Sequence, residues 1–389
     1  MTAPQLAITP SAVAMELLQF LRDGKSRTRG KLAELSGVAR STAGIRVEEL
    51  IHSGLVDEKP EPTYTGGRPS TRVSLVAQSR LVLAADIGAT HARLALVDLL
   101  GTVLCEASRP LAHGDEPEVI LQWLVDTARQ LAIDTNLSPA LISAVSIGLA
   151  APIESSTGRP FNPPIMPRWR GFDVHAWLAP FMDVPVLVEK DVNMMAMGEL
   201  RRHTPQSENL LFAKIATGIG AGIISGGSLH RGAQGTAGDI GHIPVSRKPD
   251  VPCHCGNRGC LEAVASGPSI AHELTLLGIP ALTGQDVVDL VQDGNIEAIQ
   301  LVRQAGRDLG EVLATCVSLF NPSSIVIGGT ISSAGEHLLA GVREAVYARS
   351  MPLATQHLTV SQADPSANSA IKGAAALAID RLLGPTRNS

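Results

Sequence analysis

The run Cys253-His254-Cys255-Gly256-Asn257-Arg258-Gly259-Cys260 gathers three of the chain's five cysteines into eight residues, and His242 stands eleven positions before Cys253. Three thiolates and one imidazole make a tetrahedral zinc set, and four protein ligands close it, as a structural site requires. Cysteines that were simply buried would fall in a periodic apolar stretch. These lie in a loop among glycines, at a spacing that suits a metal. The same segment carries Asp239, His242 and Glu262. All three are polar side chains suited to gripping a polyol, so a metal that pins the loop also fixes their positions.

A second group surrounds Asp191, in Glu189-Lys190-Asp191-Val192-Asn193 after the apolar run Val184 to Val188. A carboxylate at a strand end could accept a proton from a sugar hydroxyl attacking a γ-phosphate. It could instead hydrogen-bond a bound sugar, or cap a helix containing Met194 to Leu200. Lys190 in such a pocket would favour a phosphorylated or acidic ligand, unless it faces solvent or pairs with Glu189 or Glu199. Asn162 sits in a proline-rich loop, as a ligand donor or only a turn residue. Three glycine turns follow apolar runs: Asp86-Ile87-Gly88-Ala89-Thr90, Thr217-Gly218-Ile219-Gly220 and Gly328-Gly329-Thr330. Backbone amides and hydroxyls in such turns can face phosphate. Three of them favour a nucleotide cleft or the remnant of one. Neither a phosphate-loop lysine motif nor a dinucleotide fingerprint is present.

The elements that must position these groups read as α/β. At 389 residues, two or three domains are expected. A hydrophobic content of 44% with 37 glycines suits such a protein. Aromatics at 3% argue against base-stacking RNA modules. No apolar run reaches membrane-spanning length, and the N-terminus lacks a signal peptide's charged start and apolar core. With the clustered thiols committed to metal, a reducing cytoplasm is expected. Cys105 and Cys316 read as packing residues.

Charge is uneven along the chain. Residues 11–75 carry ten Lys/Arg and eight Asp/Glu, a net +2, whereas the remainder carries 22 and 29, a net −7. Only the first part is suited to approach nucleic acid. Apolar spacing predicts a helix over Ala12 to Arg22, a second capped by Thr28 and ended by Gly37, and a third over Val38 to Leu50. Ile45, Val47 and Leu50 are expected to face inward, leaving Arg40, Ser41, Thr42 and Arg46 for the major groove, as in a helix-turn-helix. Strands Gly54 to Val56 and Arg72 to Leu75 would form a wing, with Arg68 near its tip for a phosphate or the minor groove.

Together these residues resemble the ROK family of repressors, open reading frames and sugar kinases over nearly the whole chain. Gly241-His242 with Cys253 through Glu262 looks like that family's zinc signature. The resemblance implies a winged helix-turn-helix over 1–78. A sugar-binding, kinase-like unit of two-lobed actin-like (ribonuclease H-like) fold would follow over 79–389, one lobe being 79–190 plus the C-terminal helix and the other 191–365. It implies zinc on His242, Cys253, Cys255 and Cys260, with His254 between two ligands. Sugar contacts would come from Asn162, Lys190, Asp191, His242 and Glu262, with Asp239 where the family usually carries glutamate. Nucleotide phosphates would lie against Asp86, Gly88, Thr90, Thr217, Gly218, Gly220, Gly328 and Gly329.

Three positions depart from the family's kinases: Ala89 replaces a glycine, Ala216 another, and Lys190 an asparagine. The expected function is a regulator, a repressor of carbohydrate genes. Its partners would be a double-stranded DNA operator and a sugar or sugar-phosphate effector, and it would assemble as a homodimer or homotetramer. The alternative is a sugar kinase using ATP and Mg, with Asp191 as base.

Overall fold

A computed structural model describes residues 10–60, 71–111, 115–163, 165–203 and 208–384. Helix α1 (Ala12–Gln19) starts where Ser11 Oγ accepts from Ala14 N. Helix α2 (Arg29–Ser36) is capped by Thr28 and ends on Gly37 at φ 72°, a left-handed position that glycine fills without a Cβ penalty. Helix α3 (Arg40–His52) buries Ala43, Val47 and Leu50. Those residues recur every three or four positions, so Ile45 falls on the opposite face and is 60% exposed. This corrects the expectation that it points inward. Strand β1 (Val56–Pro60) pairs antiparallel with β2 (Thr71–Leu75). The first wing strand begins two residues later than expected, because Gly54 turns the chain at φ 73°. The wing tip, with Arg68, lies outside the described residues.

The body holds two five-stranded sheets. The first is built from β3 (Leu81–Ile87), β4 (His91–Asp98) and β5 (Val103–Pro110), followed by helix α4 (Pro117–Asp134). After β6 (Ile142–Leu149) and α5 (Val174–Leu178), strand β7 (Val186–Lys190) completes it. Its order is β5-β4-β3-β6-β7, an antiparallel meander extended by two parallel strands. Six of the seven residues of β3 are buried, as a strand covered on both faces requires.

Helix α6 (Asp191–His203) leads into the second sheet, with β8 (Leu210–Ile215), β9 (Ile219–Ser225) and β10 (Ser228–Leu229). Helices α7 (Leu261–Ala265), α8 (Gly267–Leu276), α9 (Gly284–Gln292) and α10 (Ile296–Phe320) come next. Then follow β11 (Ser324–Gly328), α11 (Glu336–Arg349), α12 (Pro352–Thr355), β12 (Thr359–Gln362) and α13 (Ser369–Leu383). The order β10-β9-β8-β11-β12 repeats the first sheet's connectivity. The duplication is the two-lobed actin-like arrangement that the resemblance implies.

Helices α6 and α13 lie together between the sheets. Val192, Ala196 and Met197 of α6 pack with Phe212 and Val326 of the second sheet. Ile371, Ala374 and Ala378 of α13 share a core with Val82, Ala84 and Val97 of the first. The two helices approach closely at glycines: a Cβ on Gly198 would lie 2.0 Å from Ser369 O, and one on Gly373 would lie 1.7 Å from Met194 O. The core on α13 continues into the winged helix through Leu17, Leu18 and Leu21. Polar contacts tie the same junction. Gln19 donates to Leu383 O, and Asp380 pairs with both Arg22 and Arg201.

Candidate functional site

Between the two sheets opens a cleft of about 600 Å³. The strand-end turns form one part of its wall, contributing Asp86, Gly88, Thr90, Thr217, Gly218, Gly220, Gly328 and Gly329. Lys190, Asp191, Asp239, His242 and Glu262 line it as well. Residues more than 170 positions apart in sequence therefore share one cavity. Strand β7 runs two residues further than expected, so Lys190 is its last residue and Asp191 the first of α6. Asn162 stands apart. It is exposed, adopts a left-handed φ of 42° and is absent from the lining, which fits its turn role; its neighbour Ile165 does reach the cleft.

Lys214, which motif reasoning passed over, sits at the centre. It is the fifth residue of β8, an otherwise buried apolar strand. Its Nζ lies 2.5 Å from Asp191 Oδ2. Burial pulls the ammonium's pKa down, but the carboxylates of Asp191 and Asp86 outweigh it and hold the pKa above lysine's ordinary value. The carboxylate that would serve as a general base thus already has a cation on it. Nearby, His91 Nε2 lies 3.5 Å from Asp86 Oδ2. Glu262 Oε2 accepts from Ile219 N at 2.9 Å, joining the cysteine-rich segment to the second glycine turn.

The four atoms offered by His242, Cys253, Cys255 and Cys260 lie within 4.8 Å of one another. Cys255 Sγ is 3.7 Å from Cys260 Sγ, and Cys253 Sγ is 3.7 Å from His242 Nδ1. Tetrahedral bonds of about 2.3 Å to sulfur place neighbouring donors about 3.8 Å apart, so the set fits such an ion. Burial, reinforced by the two other cysteines, pushes Cys260 up to about 12, and burial raises Cys253 as well. At Cys255 burial is outweighed by hydrogen bonds from Asn257 and the other two thiols, which hold it below the ordinary value. The segment's backbone forms no strand; isolated bridges, Pro244 with Cys260 and Pro252 with Arg258, and turns such as Gly256 N to Cys253 O hold it. The preceding turn is clamped on β9. Ala221 N donates to Gly238 O at 2.7 Å, and a Cβ on Gly241 would lie 2.2 Å from Ile219 O. His242 therefore joins two structures, with Nδ1 in the donor set and the residue also on the cleft wall.

On the winged helix, Arg40 and Ser41 are exposed at the start of α3 and Thr42 is half-buried. Arg46 is half-buried and pairs with Glu49, which also accepts from Ser11. Arg29 bridges Glu48 and Glu58, fastening α2 to α3 and the wing. Among the described residues, no helix is long and apolar enough to cross a membrane.

The profile of the ROK family matches residues 82–381. The xylose repressor of Bacillus spizizenii is 27% identical over 337 residues, 86% of this chain and 86% of that one. Among solved structures, a ROK family transcriptional regulator described as a homologue of the Escherichia coli MLC protein superposes with a TM-score of 0.81. Its identity is 25%, over 96% of this chain and 97% of that one. A ROK family glucokinase from Streptomyces griseus, in complex with glucose and AMPPNP, gives 0.65 at 27% identity, over 77% of this chain and 99% of that one.

Proposed function

The chain belongs to the ROK family, and from that membership we propose that it is a sugar-responsive, DNA-binding transcriptional repressor of carbohydrate genes. The observation that carries this reading is the winged helix sharing one core with α13, an element phosphoryl transfer does not need. The DNA is an operator read by Arg40, Ser41 and Thr42, with Arg68 as a wing contact. A symmetric homodimer would favour an inverted repeat. The protein would act in the cytoplasm.

The sugar binds in the cleft against Asp191, His242 and Glu262, with Asp239 at the rim. Closing the lobes on it moves the start of α6, which carries Asp191. That displacement passes through the tight α6–α13 contact to the winged helix. A ligand can shift DNA affinity only by binding the two states unequally. Zinc on His242, Cys253, Cys255 and Cys260 braces the loop that holds His242 and Glu262, and it takes no part in chemistry.

A second reading, an ATP-dependent sugar kinase with Asp191 as base and Mg on the phosphates, has the glycine turns in its favour. The Lys214 ammonium counts against it. It pairs with the base, and the Asp86 carboxylate acts on the same ammonium. Ala89 adds a methyl group to the first phosphate turn.

The test is fluorescence anisotropy on duplexes selected from random pools, with and without a sugar panel. We expect a sugar that weakens DNA binding, and expect Glu262→Ala or zinc chelation to abolish the response. A sugar that binds but leaves DNA affinity unchanged would defeat the reading. A coupled assay with ATP and the same sugars should show no turnover; turnover lost in Asp191→Ala would instead establish the kinase.

A further inference from the structure

Lys190 is a buried cation at the cleft: it is 6% exposed, and among the described residues its Nζ has no hydrogen-bond partner. The carboxylates nearest to it in sequence, and Glu262 across the cleft, are engaged elsewhere. Glu189 accepts from Lys190's own backbone N and from Asn193 through Oε1, and pairs with Arg231 through Oε2 at 2.6 Å. Asp191 is held by Lys214, and Glu199 accepts from Ser369 with Arg202 at 3.9 Å. Glu262 spends one oxygen on Ile219 N. Buried ammonium groups in folded proteins are paired, because an unpaired one forfeits its hydration without replacement. Lys190 lines the cleft, so a ligand bound there is the partner that the described residues do not supply. The N-terminus of the thirteen-residue helix α6 begins at the next residue and adds positive potential on the same side.

We propose that the effector of this cleft is an anionic sugar, a polyol bearing one carboxylate or phosphate that Lys190 Nζ receives. The proposal rests on the sugar-sensing reading and narrows it. Asp191, His242 and Glu262 hold the hydroxyls, while the charged group turns toward β7. Lys214 does not compete for it, being committed to Asp191. Carboxylate and phosphate share the chemistry that Lys190 requires, a compact negative charge with several acceptor lone pairs.

Calorimetry on the full-length, zinc-loaded protein separates the outcomes. Two matched sets are titrated: glucose, glucuronate and glucose 6-phosphate; then N-acetylglucosamine and its 6-phosphate. In at least one set a charged member should bind tenfold or more tightly than its neutral parent. Whether glucuronate or glucose 6-phosphate shows the preference identifies the source of the charge. In Lys190→Gln the ratio of charged to neutral affinity should fall from tenfold or more to about one. Equal affinities of neutral and charged members in both sets, or a preference that survives in Lys190→Gln, overturn the proposal and leave sugar sensing intact. Absence of binding by every neutral and charged sugar overturns both. A second measurement needs no ligand: Lys190→Gln should melt no lower than the native protein, because it removes an unpaired buried charge. A drop of several degrees would mean that Lys190 already has its partner inside the protein, and the proposal falls.

Discussion

At the scale of single residues, Lys214 decides what the cleft can do. Its ammonium pairs with Asp191 at the start of α6, and the Asp86 carboxylate of β3 also acts on it. Replacing it by methionine keeps the aliphatic stem but strands both carboxylates. For a partly buried pair we expect a loss of about 2 kcal/mol at neutral pH, between the values typical of exposed and buried pairs. The pH dependence has a definite sign. A lysine whose folded pKa is raised stabilises fully below lysine's ordinary value of about 10.4, and that contribution is lost as pH climbs through the higher folded value. Urea midpoints of native and Lys214→Met protein should therefore differ at pH 7 and converge in strong alkali. Equal midpoints at pH 7 would show that the pair contributes nothing.

The His/Cys donor set and most cleft residues were legible in the sequence, because cysteines among glycines and acidic strand ends are local signals. Lys214 was not, since it belongs to no motif. Its only trace is a charge inside the apolar run Leu210 to Ile215, and its partners are brought to it by the topology. The free state of Lys190 is likewise a property of its neighbours, and three alternatives for it were equally open from sequence.

At the scale of elements, α6 and α13 are the pair through which the proposed closure would pass. Their boundaries were blurred in the sequence, where β7 and α6 run together without a turn: Asp191 follows Lys190 directly, with no glycine or proline between them. The pairing of α6 with α13 was invisible, because it joins segments about 175 residues apart through the small side chains that close packing demands. Gly198→Ala tests it. The added methyl would start 2.0 Å from Ser369 O, which is backbone and cannot swing aside. The helices must separate, at a cost of about 3 kcal/mol or more. We expect a fall in melting temperature together with a weakened sugar response. Native stability in Gly198→Ala would mean that the two helices are not in fixed contact.

At the scale of the whole molecule, the question is how a cleft between two lobes reaches a DNA-binding module beyond one of them. The cysteine-rich loop holds cleft residues, but the contiguous packing toward the winged helix runs along α6 and α13. Its outer end is the cluster in which Asp380 of α13 meets Arg201 of α6 and Arg22 just after α1. These pairs are half-exposed, so each contributes little to global stability, and Asp380→Asn should melt within about 1 kcal/mol of the native protein. Its effect belongs to coupling. If α13 passes cleft closure to α1 through this node, Asp380→Asn keeps its sugar affinity and its basal DNA affinity, while the change in DNA affinity on adding sugar shrinks. Linkage supplies a check, because the change in sugar affinity on adding DNA must shrink by the same factor. Anisotropy and calorimetry on one preparation measure both arms of the cycle. An undiminished response in both would place the route outside this junction, in the apolar contacts of Leu17, Leu18 and Leu21 alone.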